Sequence, residues 1–211
     1  MDQKLQQIAQ DFLSRIEPNL PIEKAERPFV VAMIGLIGSG RTTVAKMLAN
    51  RIKGAVLVQS NSARYLLREA EMPWGENVRQ VLQIVAKDLL ARDYGVVFDG
   101  NAADEEDRKN IEEIANANGA RTLYVKVNIN PAIARERERA KYDNPDWISG
   151  FDDYRVNTTE KMIQNLEERA KLHQQLQLAS ISNMVGEIDN NGGLEDLERQ
   201  VEKIADKIKE G

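Results

Sequence analysis

The residues with the clearest chemical potential lie in one stretch, Gly35-Leu36-Ile37-Gly38-Ser39-Gly40-Arg41-Thr42-Thr43. Their spacing is that of a phosphate-binding loop, G-x-x-x-x-G-K-[ST], with arginine standing at the lysine position. Glycine lacks a Cβ, so the backbone can curl and approach a ligand closely. Successive N–H groups then converge on one concavity that suits anionic oxygens. A helix beginning behind the loop adds the partial positive charge of its N-terminus. Gly35, Gly38, Ser39, Gly40, Arg41, Thr42 and Thr43 are therefore the expected phosphate-binding residues, and the Thr42 hydroxyl is placed to reach a metal ion. Arg41 keeps the positive charge but replaces a compact ammonium with a planar fork. The glycines fall as G-x-x-G-x-G, which is not the dinucleotide fingerprint G-x-G-x-x-G.

Positioning such a loop requires a strand before it and a helix after it. The apolar run Phe29-Val30-Val31-Ala32-Met33-Ile34 supplies the strand, expected over 29–36, and Val44 to Ile52 is patterned as the helix. A run apolar throughout suits a strand buried on both faces of a parallel sheet. Further strands are expected at 55–59, 96–101, 123–129 and about 183–188. Helical periodicity covers 2–17, a short segment ending near Ala70, 76–92, 104–119, a stretch opening at Pro131, about 155–178 and the C-terminus from Leu194. Asn130 before Pro131 reads as an N-cap with proline at N1. Strands and helices alternate, so the fold class is α/β with a five-stranded parallel sheet flanked by helices. Pro18, Pro21 and Pro28 separate an N-terminal helix and its connection (1–28) from the main domain (29–211). The amphipathic stripe of that first helix, Leu5, Ile8, Phe12, Leu13 and Ile16, reads as core packing rather than a partner surface.

In a parallel sheet, ligands sit at the carboxyl ends of the strands. Polar residues collect there. Strand two runs into Ser60, Asn61 and Arg64, and strand three ends in Asp99 and Asn101. The helix after strand four carries Arg135 and Arg139, four residues apart on one face, while Arg137 is expected to point elsewhere. Trp74 and Trp147 lie in loops and read as packing aromatics. His173 falls mid-helix among Gln and Lys and is given no role.

Composition narrows the field. The chain has 211 residues, 42% hydrophobic and 30% charged, enough for one cored domain with a soluble surface. A net charge of −5 argues against a general nucleic-acid coat protein. Cysteine is absent, which excludes disulfides and thiolate metal sites. No apolar run is long enough to span a membrane and the N-terminus is polar, so cytoplasmic residence is expected.

On these motifs the chain resembles the P-loop kinases of the nucleoside-monophosphate-kinase-like group, in the style of the zeta-toxin and polynucleotide kinases, an AAA-type ATPase family. The resemblance spans about 29–211. It implies a P-loop NTPase fold with a helical lid at about 135–157, and ATP with Mg²⁺ as cofactors. It implies that Gly35, Gly38, Gly40, Arg41 and Thr42 hold the ATP phosphates, with Thr42 and Asp99 serving the metal. Arg64 matches an arginine that binds an acceptor phosphate or a nearby group, and Asn61 stands where many of these kinases carry an acid that contacts or deprotonates the acceptor hydroxyl. Asn61, Arg64 and Asn101 are the implied acceptor-binding residues. Arg41, Asp99, Arg135 and Arg139 are the implied catalytic residues, the last two as lid arginines. The Asn190-Asn191-Gly192-Gly193 turn resembles the loop that contacts adenine. The resemblance implies a kinase with ATP and an unidentified acceptor as partners. With no acid at 61, a phosphate acceptor, which needs no base, is one reading. Arg41 and Asn61 together also leave open a nucleotide-binding pseudokinase or switch module. A toxin-like kinase acting on a sugar nucleotide or nucleic acid is a further alternative.

Overall fold

The computed structural model describes residues 2–142, 167–168, 170–171 and 181–210. Five strands form one sheet: β1 (Phe29–Gly35), β2 (Ala55–Val58), β3 (Gly95–Phe98), β4 (Arg121–Asn128) and β5 (Met184–Asp189). Their order is β2-β3-β1-β4-β5, and every pairing is parallel. Among the described residues, seven bounded α-helices accompany them: α1 (Gln3–Ile16), α2 (Arg41–Arg51), α3 (Ser60–Glu69), α4 (Glu76–Ala91), α5 (Glu105–Ala117), α6 (Pro131–Tyr142) and α7 (Leu194–Glu210).

The central strands are apolar because both faces are covered. Every residue of β1 and of β3 is buried. Successive side chains of a strand point to opposite faces. Val30 and Val96 therefore pack with α1, α4 and α5 on one side, while Val31, Met33 and Val97 pack with α2 and α7 on the other. The register pairs Val30 with Val96 and Val31 with Val97, so the two cores are layered strand by strand.

Local signals explain the helix ends. Asp2 caps α1 by accepting from the Lys4 N–H at 2.9 Å, and Asp104 caps α5 by accepting from Glu106 N–H at 2.9 Å. The Asn130 side chain accepts from Ala132 N–H at 2.9 Å and starts α6 as expected. Three boundaries differ from the sequence expectation in ways that matter for the site. Helix α2 begins at Arg41 rather than Val44, so Arg41, Thr42 and Thr43 form its first turn. Strand β3 stops at Phe98, which leaves Asp99 to Asn101 free to turn over the sheet edge. Helix α3 starts at Ser60, so Asn61 and Arg64 lie one turn apart on it. Leu194, at the first position of the last helix, is exposed, while Leu197, Val201, Ile204 and Ile208 are buried.

Helix α1 packs as its stripe predicts. Leu5, Ile8, Phe12 and Leu13 are buried in the same cluster as Val81, Val85 and Leu89 of α4. Polar contacts tie its surface down: Lys4 Nζ donates to the Ala70 carbonyl at 2.9 Å, and Arg15 pairs with Glu69 at 2.8 Å. Most of the expected 155–178 helix, the lid beyond Tyr142, Trp147 and His173 lie outside the described residues. No helix among the described residues is long and apolar enough to cross a membrane.

The packing of α1 predicts that Phe12→Ala, which empties a side chain only 2% exposed, lowers stability by about 3–5 kcal/mol. Denaturant unfolding measures this, and a loss below about 1 kcal/mol would show that α1 is a loosely held appendage.

Candidate active site

The strand order reverses direction beside β1, which opens a crevice at the carboxyl edge between β1 and its neighbours. The phosphate loop fills one wall. Ser39 N–H donates to the Leu36 carbonyl at 3.1 Å and closes the turn. Gly38 and Gly40 adopt φ of +80° and +87°, a region that L side chains rarely enter. Close approach adds a second requirement: a Cβ at Gly38 would press on the Ala134 carbonyl oxygen, and one at Gly40 would overlap the Asn190 amide nitrogen.

The loop is anchored from three sides. Gly35 N–H donates to Asn101 Oδ1 at 3.2 Å, joining the ends of β1 and β3. Asn190, 6% exposed, donates its Nδ2 to the Ser39 carbonyl at 2.7 Å. Its own backbone N–H donates to the Asn128 carbonyl at 2.9 Å, and Arg137 Nη2 donates to its carbonyl at 3.2 Å. Thus the turn after β5 lies against the phosphate loop, and Arg137, expected to point elsewhere, reaches in toward it. Ser39 is fully buried and its Oγ makes no hydrogen bond among the described residues.

Asp99 sits at the floor. Its carboxylate Oδ1 accepts from Thr42 Oγ1 at 3.0 Å, and its carbonyl accepts from Ser60 Oγ at 3.2 Å. Burial pushes the Asp99 carboxyl above its ordinary range, while the charge of Arg41 and the hydrogen bond from Thr42 pull it back down. Asn61 and Arg64 form a pair, with Arg64 Nη1 donating to Asn61 Oδ1 at 2.8 Å and its guanidinium 5.8 Å from the Trp74 ring centroid.

These groups surround one cavity of about 790 Å³. Gly38, Gly40, Arg41, Thr42, Thr43, Asn61, Arg64, Asp99 and Asn101 all line it. Gly35 and Ser39 lie behind the lining as its support. Arg135 and Arg139 do not line it. Arg135 pairs with Glu167 at 3.3 Å on the surface, and Arg139 is exposed. The reason is helix phase: Ala134 backs onto Gly38, so Glu138, one turn later, shares its face, and 135 and 139 are rotated away. Glu138 lines the cavity and is 1% exposed.

The far end of the cavity was not anticipated. Trp74, Glu76, Arg79, Gln83, Asp107 and Asn110 line it, with Trp74 3% exposed. Arg79 Nη1 lies 2.6 Å from Glu76 and its Nε 2.9 Å from Asp107. Burial raises the Asp107 carboxyl, partly offset by the charge of Arg79. A sequence signal existed: 76, 79 and 83 on α4, and 107 and 110 on α5, are polar positions at helical spacing beside apolar stripes.

Comparison with known proteins places the fold. The signal recognition particle receptor FtsY of Haemophilus influenzae is 29% identical over 138 residues, 63% of this chain and 32% of that protein. The chain thus spans about a third of the length of the curated relative it matches. Among solved structures, a gluconokinase from Sinorhizobium meliloti 1021 superposes with a TM-score of 0.54 at 15% identity, over 88% of this chain and 96% of that one. An APS kinase from Mycobacterium tuberculosis, determined with AMPPNP and APS, superposes with a TM-score of 0.52 at 15% identity, over 86% and 98%. The fold is therefore one that these two kinases share. With residues 30–172 matched by the family model described as an AAA domain, the chain belongs to that AAA-domain family.

Proposed function

We propose that this protein is an ATP-dependent phosphotransferase. The observation that carries the reading is the Thr42–Asp99 hydrogen bond, 3.0 Å, beneath the phosphate loop in a cavity that continues well past it. Its volume is of the size that holds a small molecule. Phosphoryl transfer is mostly positioning and charge stabilisation, and this chain holds groups for both. Loop N–H groups, the N-terminus of α2 and Arg41 would bind the triphosphate. The turn at Asn190, packed on the loop, would border the base. An acceptor in the far end would present its hydroxyl between the loop and Asp99.

Thr42 and Asp99 offer one hydroxyl and one carboxylate, an oxygen-only donor set that fits Mg²⁺, which takes few protein ligands and otherwise uses phosphate and water. When bound there, Mg²⁺ would neutralise charge on the phosphoryl oxygens.

A second reading is a nucleotide-binding switch with little transfer activity. Arg41 at the lysine position favours it, because a fork cannot substitute for a point charge without change in geometry. Asn61, bonded to Arg64 and unable to take a proton, favours it as well.

Two experiments test these readings. Thr42→Ala and Asp99→Asn should each lower acceptor-dependent ADP formation by about a hundredfold or more, with thermal unfolding still cooperative. Wild-type turnover in both variants sinks the site assignment. Arg41→Lys should change turnover by less than about tenfold if the arginine serves transfer, whereas a gain above about a hundredfold identifies the natural protein as a switch.

A further inference from the structure

Resting on the phosphotransferase reading, we infer that the acceptor is a hydroxyl-rich molecule without an anionic group, a polyol or amino-polyol, bound between α3, α4 and α5. The charge on the cavity wall carries this. Among the described residues, Arg41, Arg64 and Arg79 face Glu76, Asp99, Asp107 and Glu138 there. Acids outnumber bases before any ligand enters. The triphosphate of ATP draws on Arg41 and the loop amides, so a second anion would have to find its own cations at the far end.

That end offers no surplus. Arg79 is gripped by two carboxylates, with Nη1 2.6 Å from Glu76 and Nε 2.9 Å from Asp107, and Glu106 lies 3.9 Å off. A phosphate or carboxylate on the acceptor would have to displace these carboxylates from the guanidinium, and their charges would stay nearby. Like charges held this close repel, most of all at Asp107, the less exposed of the two carboxylates. Arg64 donates to the neutral Asn61 amide and stands near Trp74, and its charge acts on the buried Asp99 carboxylate. Three amides add to the polar lining there, Asn61, Gln83 and Asn110, each able to donate to and accept from hydroxyls. Val78, Leu82 and Ile111, with Trp74, give an apolar wall of the kind that meets the C–H face of a polyol ring. Glu76 and Asp107 would accept from hydroxyls or an ammonium.

The reaction balances with this acceptor. A hydroxyl oxygen forms a bond to the γ-phosphorus, and the bond from that phosphorus to the β–γ bridging oxygen breaks. ADP leaves with the electron pair. The hydroxyl proton passes to solvent water. No oxidant or further reactant is needed.

The test uses the full chain with ATP and Mg²⁺ against glycerol, glucose, inositol and glucosamine, and against glucose 6-phosphate, gluconate, AMP and a 5′-hydroxyl oligonucleotide. ADP formation above the acceptor-free rate is read, with ³¹P NMR of the product. Equilibrium binding of the same compounds to protein loaded with AMPPNP and Mg²⁺ is read alongside. Preference for an uncharged or amino member, in turnover or binding, is expected. Preference for an anionic member overturns the inference, and so does a panel in which no uncharged or amino member binds or reacts. Binding of AMPPNP itself is measured first, so loss of the nucleotide reading is seen separately. Joint Glu76→Gln and Asp107→Asn should tighten glucose 6-phosphate binding about tenfold or more by releasing Arg79. Glu76→Gln alone, at an exposed position, should tighten it about threefold and stands in if the double variant does not fold. Unchanged affinity in folded variants counts against the inference.

Discussion

A carboxylate with 6% exposure is costly to bury, and Asp99 is kept in place by what surrounds it. Thr42 donates to its side chain, Ser60 to its carbonyl, and Arg41 lends opposite charge. Those partners come from the starts of α2 and α3, so one buried acid joins three strand ends: β1 through the phosphate loop, β2 through Ser60 and β3 directly. The crevice depends on that junction. Asp99 still donates its N–H to the Val58 carbonyl at 3.0 Å, so this last rung beside β2 aims its side chain at Thr42. The early end of β3 and the early start of α2 are two halves of the same arrangement.

Around the junction the phosphate loop is supported rather than self-sufficient. Two glycines at positive φ let it curl, but Asn101, Asn190 and the backbone of Ala134 decide where it sits. Helix α6 thereby presents Glu138 and Arg137 inward and Arg135 and Arg139 outward. A chain whose arginines alternate with glutamates puts both signs on every face. Only the contact between Ala134 and Gly38 selects which sign meets the cavity.

The far end of the cavity follows a different logic. Helices α4 and α5 bury apolar stripes in the core, and their shoulder positions, Glu76, Arg79, Gln83, Asp107 and Asn110, fall on the cavity. Arg79 holds the two helices together through carboxylates from each. The same ion pairs that fix the wall also cancel its charge.

The sequence by itself determined the α/β class, the parallel sheet, the phosphate loop and the strand-end acids, because each rests on local information. Apolar runs mark strands covered on both faces, glycine spacing marks a loop that bends, and Asp104 or Asn130 marks a helix start within a few residues. Asp99, Asn61, Arg64 and Asn101 were legible for the same reason, since a residue at a strand end in a parallel sheet has few places to go. Helix phase was not legible where charged residues occur on all sides, so Arg135 and Arg139 could not be told from Arg137 and Glu138. Nor could the partnership of Arg79 with Asp107, which are brought together only when α4 and α5 pack on the same face of the sheet. The tertiary structure decided these, because the energy that orients a polar side chain on a helix comes from the surface it packs against and not from its neighbours in the chain.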